Sequence, residues 1–91
     1  MRRVGKSVLM QLQIEELITS GIPQPNILYI NKESLEFEFI KTYSDLYLYA
    51  KDYFKDKTGQ KYIFIDEVQE IAEWEKAITS FLSEHLADIV I

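Results

Sequence analysis

Cysteine is absent from the sequence, and histidine occurs once among its 91 residues. The first absence excludes a disulfide framework and any thiolate metal centre. The second leaves too few imidazoles for a histidine-based site. Basic residues are in the minority: ten Lys and Arg against fifteen Asp and Glu give a net charge of −5. A general binder of the nucleic-acid backbone needs a basic face, so there is no strong nucleic-acid signal. No apolar run approaches the roughly 18 residues of a membrane span, and no signal-peptide pattern is present. The expectation is a cytoplasmic chain with no membrane partner. No repeat, low-complexity tract or linker interrupts it. What is present is 47% hydrophobic and 13% aromatic, the composition of a small globular core.

Periodicity divides the chain into alternating elements. Val8, Leu9, Leu12, Leu17 and Ile18 recur at roughly helical spacing over residues 7–20, and Gly21 with Pro23 closes that helix. Ile27-Leu28-Tyr29-Ile30 reads as a buried strand. Leu35, Phe37 and Phe39 alternate with Glu36 and Glu38, which suits a half-buried strand or an irregular approach to the next helix. That helix carries Tyr43, Leu46, Tyr47, Ala50, Tyr53 and Phe54 on one face, opens on a Thr42–Asp45 capping box, and ends with Lys55, Lys57 and Gly59. Residues 61–66 form a second buried strand. Trp74, Ala77, Ile78, Phe81, Leu82 and His85 mark a helix over 73–86, and Asp88–Ile91 begins a third strand. Helices alternating with apolar strands predict an α/β fold with a parallel sheet covered on both faces.

Two constellations carry chemistry. Gly5-Lys6-Ser7 completes the G-x-x-x-x-G-K-[ST] phosphate loop, whose first glycine would fall one position before Met1. In such a loop the glycine admits the phosphates, Lys6 reaches the β- and γ-phosphates, and the Ser7 hydroxyl holds Mg²⁺. About sixty residues on, Tyr62-Ile63-Phe64-Ile65 delivers Asp66 and Glu67 to the carboxyl edge of a parallel sheet, where ligands bind in such folds. Asp66 would hold Mg²⁺ through water, and Glu67 would polarise the attacking water. The pair in this order points to hydrolysis of a nucleoside triphosphate. His85, on the apolar side of its helix, reads as a packed or capping residue, and Trp74 as core. The tyrosines from Tyr43 to Tyr53 are read as a packed face, not as a base-stacking platform.

Arg2-Arg3-Val4-Gly5-Lys6-Ser7, then Asp66-Glu67-Val68-Gln69, then Trp74-Glu75 resembles a prokaryotic group of AAA+ ATPases with a D-E-x-Q second motif. Met1 stands where members usually have proline. The resemblance implies a three-layer α/β/α P-loop core, with ATP and Mg²⁺ at the carboxyl edge of its sheet. It implies Val4 (through its backbone), Gly5, Lys6 and Ser7 as nucleotide-binding residues, Ser7 and Asp66 at the metal, and Glu67 as catalytic base. On this resemblance residues 1–91 are a single partial domain, incomplete at both ends, from a longer ATPase parent. The missing strand before Met1 would lie beside the strand that starts at Asp88. The alternative is a non-hydrolysing interaction module that acts through its surface or through that open sheet edge, and self-association is expected at the edge.

Overall fold

The computed structural model describes the backbone from Arg2 and the side chains from Ser7 to Ile91. Three helices alternate with three strands: α1 (Arg2–Thr19), β1 (Ile27–Asn31), α2 (Tyr43–Phe54), β2 (Tyr62–Asp66), α3 (Trp74–Ser83) and β3 (Asp88–Val90). The strands form one parallel sheet in the order β1-β2-β3. Leu28 pairs with Ile63, Ile30 with Ile65 and Asn31 with Asp66, while Ile63 pairs with Ile89 on the other side. This is the expected α/β architecture of a P-loop-type core.

Successive strand residues face opposite ways, and the two packing clusters follow that parity. Leu28, Ile30, Ile63, Ile65 and Ile89 meet Leu46, Ala50 and Phe54 of α2 and Ala77 and Phe81 of α3. On the other face Ile27, Tyr29, Phe64 and Val90 meet Met10, Ile14 and Leu17 of α1. The sheet is thus sandwiched, by two helices on one side and one on the other.

The sequence signals that end and start helices are realised in their backbone bonds. Gly21 takes φ +111, its N–H donates to Ile18 O at 3.1 Å, and the Ile22 N–H donates to Leu17 O at 3.0 Å. That is a Schellman closure, with Ile22 and Leu17 packed in one cluster. The capping box of α2 is formed: Asp45 N–H donates to Thr42 Oγ1 at 3.4 Å, and Thr42 N–H donates to Asp45 Oδ2 at 3.2 Å.

Three readings are decided by the structure. Of the two for residues 35–39, the irregular approach to α2 holds and the strand does not: Leu35–Phe37 is a 3-10 turn that Ser34 caps by accepting from Glu36 N–H. Only Phe37 of the three alternating apolar residues is buried, so a single anchor replaces a pleated face. Of the apolar face read for α1, only Leu17 meets the sheet. Val8, Leu9, Leu12 and Ile18 are exposed, and the sheet-facing stripe is Ser7, Met10, Ile14 and Leu17 at i, i+3, i+7 and i+10. His85 is exposed and left-handed (φ 55), and it closes α3 in a second Schellman turn, its N–H donating to Leu82 O and the Leu86 N–H to Phe81 O. The capping reading of His85 holds, and the packed one does not.

The box predicts a measurable cost. Thr42→Ala should lower stability by about 1 kcal/mol in urea denaturation. The N–H groups of Lys41 and Thr42 hold the Asp45 carboxyl below its ordinary value. Its contribution is therefore complete above the unfolded value, near pH 4, and is lost as pH falls through the lower folded value. Asp45→Asn should be less stable than wild type at neutral pH, and the two should converge in acid. A constant gap down to the acid limit would contradict the assignment.

Candidate functional site

The carboxyl end of β2 is where the chemistry collects. Asp66 has the parity of Tyr62 and Phe64, so its side chain lies on the α1 face of the sheet. Ser7 is, among the described side chains, the one of the α1 stripe nearest the helix start, and its hydroxyl donates to Asp66 Oδ2 across 59 positions of sequence. Asp66 is 1% exposed, and among the described residues its other oxygen, Oδ1, has no hydrogen-bond partner. Burying a carboxylate with an unmet acceptor costs several kcal/mol if nothing compensates it. A hydroxyl and a carboxylate are hard oxygen donors of the kind Mg²⁺ takes, one or two from protein and the rest from water and phosphate. The residues fit that ion. Among the described residues no group of three His, Cys, Asp or Glu converges, so nothing there forms an all-protein metal cage.

Glu67 follows at once and turns away. It adopts φ 63, ψ 48, a left-handed conformation that costs a non-glycine residue about 1–2 kcal/mol. It is 8% exposed, and its carboxylate Oε1 accepts a hydrogen bond from Gln69 Nε2. Gln69 belongs to the 3-10 turn Val68–Glu70, pinned from below by buried Val68 and Ile71. The same segment is tied to α2 by a parallel bridge: Ala72 N–H donates to Lys41 O and Tyr43 N–H to Ala72 O, both at 2.9 Å. Glu67 lines a 370 Å³ cavity with Lys32, Glu33 and Glu70. The Lys32 ammonium donates to Phe37 O at 2.7 Å, and its backbone N–H donates to Asp66 O at 3.2 Å. Its pKa is lowered, first by burial and then by the positive charge of Lys41, against the raising effect of Glu38, Glu70 and Asp45.

Of the residues singled out in the sequence, the structure brings Ser7 and Asp66 into contact and sets Glu67 beside them in the chain. The side chains of Val4 and Lys6, and what surrounds Gly5, lie outside the described residues. α1 is already helical from Arg2, five residues before the start expected at Ser7. Two neighbours of Glu67 were not assigned roles from sequence. Gln69 was visible only as part of a motif. Lys32 follows Asn31, the partner of Asp66 in the β1–β2 register, so only the pairing reveals its place. Trp74 is half-buried against the α2–α3 core, as expected. A 990 Å³ cavity between α1 and β3 touches none of Ser7, Asp66 or Glu67.

The chain is similar to known proteins over its whole length. Residues 1–91 match a family described as an AAA domain. A protein of Haemophilus influenzae (strain ATCC 51907 / DSM 11121 / KW20 / Rd), described as uncharacterized, is 34% identical over 90 residues. That match covers 99% of this chain and 22% of the relative, so the chain spans about a fifth of the relative's length. No solved structure matches the chain. With its whole length matched, a parallel α/β core and paired Ser7 and Asp66, the chain belongs to the AAA domain family.

Proposed function

We propose that the chain is the nucleotide-handling part of an ATPase, and that its longer parent binds ATP with Mg²⁺ and hydrolyses it to drive a conformational change. The observation that carries this reading is the meeting of Ser7 and Asp66 at the carboxyl end of the central strand, with an Asp66 oxygen left over for a cation. Ser7 and Asp66 would hold Mg²⁺, which when bound with nucleotide offsets phosphate charge. Val4 and Gly5 would meet the phosphates through the backbone, and Lys6 through its ammonium. Glu67 would accept a proton from the attacking water, drawn in through the cavity it lines. Among the described residues no helix is long and apolar enough to cross a membrane. The cytoplasm is the compartment this reading assumes.

A second reading has its own observation. Val8, Leu9 and Leu12 on α1 are exposed, and Leu9 and Leu12 line the 990 Å³ cavity together with Val90 and Ile91 at the outer side of β3. That strand is an edge, with unpaired backbone groups and an apolar rim, which suits a non-hydrolysing module that pairs with a second copy through β3.

Turnover assays on the full-length parent test the first reading. Glu67→Gln should keep nucleotide affinity and lose turnover by about 10²–10⁴-fold, since glutamine keeps the shape and cannot take a proton. Lys6→Ala should instead weaken binding. Turnover within a few-fold of wild type in Glu67→Gln would show that the base lies elsewhere. Light scattering coupled to size exclusion tests the second. The 91-residue chain should associate at micromolar concentration, and Leu9→Glu with Leu12→Lys should return it to a monomer. A wild-type chain that stays monomeric throughout would remove this reading.

A further inference from the structure

We propose that Gln69 is a positioning residue, whose side-chain amide holds the Glu67 carboxylate in its working orientation. The inference rests on the reading of Glu67 as the base. The backbone at Glu67 is left-handed, so its side chain departs from the alternation that fixes Asp66 and the strand no longer decides where it points. Its direction must come from a partner. Gln69 supplies one, donating from Nε2 to Oε1 across a turn of two residues.

The neighbourhood explains why an amide suits that place better than a charge. Glu33 and Glu70 line the same cavity as Glu67, so a fourth carboxylate at position 69 would add repulsion. A neutral donor orients the carboxylate without bringing a charge of its own. Gln69 itself is exposed, while Val68 and Ile71 on either side are buried and Ala72 is bridged to α2. The donor is therefore carried on an anchored turn, and its replacement removes no core contact. A base misplaced by about an ångström can lose on the order of 10²-fold in rate, so an orienting bond has a large lever.

The test is steady-state turnover of the full-length parent with Gln69→Glu and Gln69→Met, each alone and combined with Glu67→Gln. Both single variants should lower kcat by about 10–10²-fold with KM and nucleotide affinity within twofold, and Gln69→Glu should be the worse. In the Glu67→Gln background neither should lower turnover further, because the group Gln69 acts on is gone. Thermal melting of the single variants should stay at the wild-type value. Single variants at wild-type kcat, or losses that multiply with that of Glu67→Gln, overturn the assignment while leaving Glu67 as base. Full turnover in Glu67→Gln overturns the base reading and this assignment with it.

Discussion

Strand β2 is the constraint on which the rest of the molecule depends. Its five residues, Tyr62–Asp66, pair with β1, the first three of them also pair with β3, and Ile63, Phe64 and Ile65 are buried whichever face they occupy. Fixing its register fixes both packing layers, since Ile63 and Ile65 receive α2 and α3 while Phe64 receives α1. The same alternation carries through to Asp66 and sets it on the face where α1 begins. A slip of one residue would turn Asp66 away from Ser7 and exchange the apolar sets of the two layers. Core packing and the candidate site are thus enforced by one register.

The site departs from what stability alone would select. An acid whose second oxygen is unmet among the described residues sits in the core at Asp66, and a left-handed glutamate follows it. Strain and unmet polar groups of this kind gather where a ligand or a reaction will use them. The sheet around them is well made: paired registers, two Schellman closures and a capping box bring the local backbone signals into agreement with the global fold. That contrast supports reading the end of β2 as functional.

Much of this was legible in the sequence, for identifiable reasons. Short uninterrupted apolar runs at 27–30 and 62–65 could be only buried strands or pieces of buried helix, and the flanking turn residues decided between them. Thr42 with Asp45, and Gly21 before Pro23, act through local hydrogen bonds and so reveal themselves locally. The exposed side of α1 misled because Val8, Leu9 and Leu12 are apolar and closely spaced, whereas the true stripe begins with a serine. Residues 35–39 stayed ambiguous because alternation signals a strand only where a neighbouring strand exists to pair with it. The contacts of Gln69 and Lys32 were beyond sequence reasoning, since they depend on the left-handed turn at Glu67 and on the β1–β2 register.

On the proposed reading, the buried Asp66 carboxylate is kept for a cation at the expense of metal-free stability. The direct measurement is thermal melting of wild type and Asp66→Asn, each with and without Mg²⁺ and a non-hydrolysable ATP analogue, in the full-length parent. Without ligand, Asp66→Asn should melt a few degrees higher, because a neutral amide costs less to bury than a carboxylate with an unmet oxygen. With ligand at about 100 times Kd, wild type should gain about 2.7 kcal/mol and the variant should gain little. A variant that melts below wild type without ligand, or one that gains as much from Mg²⁺ and nucleotide as wild type does, would contradict the account.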